Sequence, residues 1–124
     1  MKPEDLKYAK THEWVAVDGG VATVGISAFA VEALTDLVFI ELPKVGAQVK
    51  PETPFCEVES VKAVSDVYAP VAGEVIEVNE SLPDRLEVLS TDPYGEGWMI
   101  KMTVNNPADV DALLNADAYQ QLVG

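Results

Sequence analysis

Along most of the chain, apolar and polar residues alternate with a period of two, the pattern of half-buried strands. Glu13-Trp14-Val15-Ala16-Val17 and Val21-Ala22-Thr23-Val24-Gly25-Ile26 flank Asp18-Gly19-Gly20, which predicts a β-hairpin over 13–26. Ser27 suits the cap of a short helix through Leu34. A strongly apolar strand over 37–42 stops at Pro43, and runs at 55–59, 65–69 and 73–78 continue a strand-bearing core over 37–80. Residues 98–104 predict the last strand. After it the period changes. Asn106 is a good N-cap, Pro107 fits the first helical position, and Val110, Leu113 and Leu114 share one apolar face. The expectation is a helical segment over 106–123, with a final short helix after Asp117, closing a single, mainly β domain with helices at its edges.

One turn pattern occurs twice. Pro43-Lys44-Val45-Gly46 and Pro70-Val71-Ala72-Gly73 each feed an apolar strand, which points to two similar half-sheets. Between them, alternation puts Cys56 and Val58 on one face and Phe55, Glu57 and Glu59 on the other, so Cys56 reads as a core thiol. The alternation breaks at Val61-Lys62-Ala63 and resumes near Val67, predicting a hairpin with Lys62 near its tip. Spacing alone allows two readings of Lys62. One is a solvated turn lysine; the other is an amine offered to a modifying enzyme, since a hairpin apex is the most accessible place on a compact domain.

Composition narrows the chemistry. The chain has 124 residues, enough for one domain, with 8 basic and 21 acidic side chains and a net charge of −13. Nucleic acid and anionic membranes would be repelled, so neither is an expected partner. A lone Cys56 excludes an internal disulfide and suits a reducing compartment, and no apolar run is long enough for a membrane span. Met1-Lys2-Pro3-Glu4-Asp5 is too acidic to open a targeting peptide. A single His and a single Cys rule out zinc sites built from several such residues. No Gly-rich phosphate loop is present, and no carboxylate pair has a distinctive spacing. The expected task is binding or carrying.

Longer motifs resemble a known family. Val58-Glu59-Ser60-Val61-Lys62-Ala63, followed by Ser65-Asp66-Val67-Tyr68-Ala69-Pro70-Val71-Ala72-Gly73-Glu74-Val75, is similar to the lipoyl-attachment region of glycine cleavage system H proteins. Thr11-His12-Glu13-Trp14, Val38-Phe39-Ile40-Glu41-Leu42-Pro43 and Asp92-Pro93-Tyr94-Gly95 resemble further family motifs in the same order. Lipoyl domains of 2-oxo-acid dehydrogenases and biotinyl domains usually show Asp-Lys or Met-Lys-Met at the tip, unlike Val61-Lys62-Ala63.

The resemblance implies a barrel-sandwich hybrid of two half-sheets, lipoyl/biotinyl-like, with short flanking helices. It implies a non-catalytic, monomeric carrier bearing lipoic acid as an amide on Lys62. Glu59, Ser60, Val61, Ala63 and Gly73 would serve attachment, and Thr11, Glu13 and Asp66 would lie near the groove that receives the arm. His12 is expected to be structural. Implied partners are the pyridoxal-phosphate P protein, the tetrahydrofolate-dependent T protein, the flavin-containing L protein and a lipoate-attaching enzyme. The expected location is the bacterial cytoplasm, or the mitochondrial matrix after presequence removal. Lysine plus lipoyl gives an arm of about 14 Å when extended, and such a tether raises the effective concentration of its sulfurs at a docked enzyme. The loaded arm carries a hydrolysable thioether and a cationic amine, which suits a sheltered acidic groove. Val31, Thr35 and residues 86–90 (Leu86 through Ser90) depart from the usual family residues, and they keep open an H-like protein that relays lipoyl groups to other enzymes.

Overall fold

The computed structural model describes residues 2–34, 36–51 and 53–123. Nine strands occur among the described residues: β1 (Lys7–Tyr8), β2 (Glu13–Asp18), β3 (Val21–Ile26), β4 (Leu37–Glu41), β5 (Gln48–Val49), β6 (Pro54–Ser60), β7 (Val64–Tyr68), β8 (Gly73–Val78) and β9 (Ile100–Thr103). The helices are α1 (Ala28–Leu34), α2 (Glu87–Thr91), α3 (Pro107–Asp111) and α4 (Ala116–Val123). The strands form a six-stranded sheet in the order β1-β2-β3-β9-β8-β5 and a three-stranded sheet in the order β4-β6-β7. All neighbours are antiparallel. The result is a mainly β barrel-sandwich with two sheets, as the motifs led one to expect, but the sheets are unequal in size. No described helix is long and apolar enough to cross a membrane.

Local chemistry explains most elements. Gly19 and Gly20 both take positive φ (60° and 82°), the conformation a two-residue hairpin turn requires between β2 and β3. Ser27 Oγ accepts the Ala30 amide at the start of α1, and Asn106 Oδ1 accepts the Ala108 amide at the start of α3. The two Pro-x-x-Gly turns do not head separate half-sheets, as the repeat suggests: they feed β5 and β8, which pair within the larger sheet, where Gly46 N donates to Val75 O and Val49 pairs with Gly73.

The C-terminal expectation needs correcting in two places. α3 ends at Asp111, so Leu113 and Leu114 lie beyond it, and α4 begins at Ala116, ahead of Asp117. Asn115 is the reason, because its Oδ1 accepts the Ala118 amide at 2.8 Å and caps α4 two residues early.

The main core lies between the sheets and includes Val15, Val24, Ile40, Val58, Val75, Leu89, Ile100 and Met102. Cys56 is buried there, as its strand parity predicts, and burial pushes its thiol up to about 12, so it is inert as a nucleophile. A second cluster of Leu6, Tyr8, Trp14 and Tyr119 joins β1 and β2 to α4.

Candidate functional site

The β6–β7 hairpin puts Lys62 at its tip. Glu59 pairs with Val64, and residues 60–63 close the turn through the Ser60 amide, which donates to Ala63 O at 2.8 Å. Ser60 is buried, and its Oγ accepts the Lys62 amide at 3.3 Å and the Ala63 amide at 3.2 Å. The Val61 amide donates to Asp36 O, leaning the turn on the chain that follows α1. Lys62 itself is exposed, and Val61 and Val64 beside it are 64% and 55% exposed.

Along the outer face of this sheet run two cross-strand rows. One is Phe39, Glu59, Val64; the other is Glu41, Glu57, Asp66. Three carboxylates thus stand side by side on the open face.

A groove begins where β7 turns away from the tip. Its cavity of about 420 Å³ is walled by β7 from Ser65 to Tyr68, by Phe29, Ala30, Ala33 and Leu34 of α1, and by the turn from Lys10 to Glu13. This brings Thr11, Glu13 and Asp66 to one place although the first two lie far from Asp66 in sequence. Asp66 lies four residues along the chain from Lys62, at most about 14 Å away.

Glu13 is the most unusual group in that wall. It is 1% exposed. Its carboxylate accepts the Thr11 hydroxyl, and its Oε2 accepts the Tyr68 amide at 3.4 Å. Burial raises its pKa to about 7, against the opposing effect of those two hydrogen bonds. A carboxyl poised near neutrality in a cleft gives up its proton readily when a cation arrives.

A larger cavity of about 520 Å³, lined by Tyr8, Pro51, Pro70, Leu113 and Leu114, adjoins the groove through Lys10, Thr11 and Tyr68.

The remaining motif residues have other surroundings. Gly73 lies at the start of β8, where an added Cβ would sit 1.8 Å from Thr103 O, so close strand packing demands glycine there. Asp92-Pro93-Tyr94-Gly95 supports the groove from behind: Trp14 Nε1 donates to Pro93 O at 3.0 Å, and the Ala28 amide donates to Tyr94 OH at 3.0 Å. Val31 and Ser90 line one cavity of about 330 Å³ between α1 and α2, on the side of α1 away from the groove. Leu86 precedes α2, and Thr35 lies outside the described residues.

What this arrangement defines is a barrel-sandwich of the lipoyl- and biotinyl-domain kind, presenting one lysine on a hairpin tip above an acidic, apolar-walled groove. A glycine cleavage H-protein family model matches residues 6–124. The chain is 53% identical over 122 residues to a glycine cleavage system H protein of Halorhodospira halophila, covering 98% of this chain and 94% of the relative. It is 50% identical over 121 residues to the H protein of Carboxydothermus hydrogenoformans, covering 98% and 93%. A crystal structure of a glycine cleavage system H protein from Mycobacterium marinum superposes with a TM-score of 0.90 at 41% identity, covering 99% of each chain. The chain belongs to the glycine cleavage H-protein family.

Proposed function

We propose that this protein is a non-catalytic carrier in glycine cleavage, with a lipoyl group in amide linkage to Lys62. The observation that supports this most strongly is the pairing of two features: an exposed lysine on a hairpin tip, and a groove that begins a few residues along the same strand, where Thr11, Glu13 and Asp66 meet. The groove's volume lies within the range of small-ligand pockets, and its apolar α1 wall suits a dithiolane and its alkyl chain. When attached, the lipoyl group would supply a redox-active dithiolane, one sulfur of which would carry the aminomethyl unit of glycine between the P, T and L proteins.

The chain's own residues supply anchorage, shelter and charge. Ser60 fixes the turn that presents the Lys62 amine to a lipoate-attaching enzyme, with Glu59, Val61 and Ala63 as the surface that enzyme meets. Phe29, Ala30, Ala33 and Leu34 keep water from the docked end of the arm. Asp66 and Glu13 face its cationic amine, and Thr11 orients the Glu13 carboxylate. A cation beside Glu13 draws its pKa down from about 7, so docking releases a proton.

Intact-mass measurement after expression with lipoic acid and an attaching enzyme tests the assignment. The expected result is a gain of one lipoyl group on the peptide containing Lys62, no gain in Lys62→Arg, and glycine decarboxylation by the P protein supported only by the modified form. Glycine cleavage supported by Lys62→Arg would overturn the reading.

A further inference from the structure

Tyr119 of α4 is 1% exposed and stands behind the groove, outside its lining. Its hydroxyl joins three elements: His12 Nδ1 lies 2.7 Å away and Ser27 Oγ 2.6 Å, while the ring stacks on Tyr8 with centroids 4.4 Å apart. Both side-chain partners hold groove walls. His12 sits between Thr11 and Glu13 with φ 81°, a left-handed conformation unfavourable for a residue with a Cβ. Its carbonyl accepts the Ser27 amide at 2.9 Å, its amide donates to Ala9 O at 3.0 Å, and its ring lies 5.0 Å from that of Phe29. Ser27 starts α1, the helix that carries Phe29 and Ala30 into the groove. A phenylalanine at 119 would stack on Tyr8 just as well, so packing alone does not call for the hydroxyl.

We infer that Tyr119 is a positioning residue: through its hydroxyl, the C-terminal helix holds the turn bearing Thr11 and Glu13 against the start of α1 and so sets the shape of the groove. This rests on the groove being the berth of the arm, as proposed above.

The test uses the full chain with Tyr119→Phe, His12→Ala and His12→Asn, in unmodified and lipoylated forms. In the unmodified protein, amide hydrogen exchange reads the turn directly. The Ser27 amide, bonded to His12 O, and the Ala9 amide, bonded to Glu13 O, exchange roughly five-fold faster in Tyr119→Phe, the scale of one lost hydrogen bond. The Val58 amide in the central strand of the small sheet stays at its wild-type rate. In the lipoylated protein loaded from glycine, the readout is spontaneous release. Water breaks the carbon–sulfur bond, returning the thiol and yielding formaldehyde and ammonium, and the half-life in Tyr119→Phe shortens by a similar factor. His12→Ala behaves like Tyr119→Phe. His12→Asn recovers most of the loss, since asparagine tolerates the left-handed conformation and offers an amide nitrogen near the position of Nδ1.

Wild-type exchange at Ser27 and Ala9 in Tyr119→Phe overturns the inference. So does acceleration shared with Val58, or local acceleration with release unchanged. Failure of the underlying reading looks different: the wild-type arm then releases its load as fast as the same protein unfolded in denaturant, and the exchange data alone still decide whether Tyr119 holds the turn.

Discussion

The hairpin tip around Lys62 and the groove around Glu13 are built in opposite ways. At the tip, one buried serine and a few backbone hydrogen bonds fix the chain, and the side chains of Val61, Lys62 and Val64 are left in water. In the groove, a carboxyl is buried to 1% exposure, a histidine is held at positive φ, and Trp14, Tyr94 and Tyr119 anchor the walls from behind. In the carrier proposed above, an attachment point must be reachable by several large enzymes and needs little rigidity beyond its own turn. A berth must exclude water and hold charge in place, which takes a packed scaffold. The difference predicts where the molecule tolerates change.

The largest contrast is in stability. An added Cβ at Gly25 would lie 2.6 Å from Trp14 Cε2, against a fully buried ring pinned by its bond to Pro93 O. Gly25→Ala is expected to cost about 3 kcal/mol, because neither the ring nor its strand can yield. Val61→Ala at the tip is expected to change stability by less than about 0.5 kcal/mol. Urea denaturation of the two variants measures both, and similar midpoints would break the distinction between tip and groove.

Next in size is the pH dependence contributed by Glu13. Its folded pKa of about 7 lies above the ordinary value of 4.5, so the folded state holds the proton more tightly than the unfolded chain. The stabilisation from that proton is fully present below about pH 4.5 and is lost as pH rises through about 7. The span is on the order of 3 kcal/mol. Glu13→Gln removes this component, so the stability difference between variant and wild type should widen from pH 4.5 to 7 and then level off. A difference that stays constant with pH would show that Glu13 titrates as an exposed acid.

A smaller effect is expected from Ser60→Ala. The hydroxyl accepts two turn amides, and losing it costs about 1 kcal/mol. Exchange at the Lys62 and Ala63 amides should accelerate while that at Ser27 and Ala9 does not, and lipoylation should slow as the tip frays.

Much of the tip was legible in sequence because its causes are local. Parity placed Cys56 and Val58 inward, and the break at Val61-Lys62-Ala63 marked the turn. The groove was not legible in the same way. Its frame joins His12 to Tyr119 across 107 positions and Ser27 to Tyr119 across 92, and no pattern of short range carries that information. Two signals were nevertheless present. Glu13 shares strand parity with Val15, which places a carboxyl on the core face, and Asn115 ahead of Ala-Asp-Ala marks the true start of α4. β1 and β5, of two residues each, are too short to show a period and exist only because longer neighbours offer them an edge. Gly73 reads in sequence as part of an attachment signature, but a carbonyl of β9 is the physical reason for it.

The smallest effect concerns the ground between the two regions. Glu41, Glu57 and Asp66 lie directly opposite one another across β4, β6 and β7, all exposed. Like charges so placed repel, so Glu57→Gln is expected to stabilise the fold by a few tenths of a kcal/mol, and added salt to stabilise the wild type more than the variant. A row that costs stability needs a use elsewhere. Its position beside the tip suits electrostatic steering toward a basic docking face, and such steering acts on encounter rate more than on final affinity. Loading by the P protein should therefore slow modestly in Glu57→Gln at low salt, and the two proteins should converge as salt rises. Equal loading rates at every ionic strength would leave the carboxylate row as simple surface repulsion, and the tip would then recruit its partners by shape and apolar contact at Phe39, Val61 and Val64.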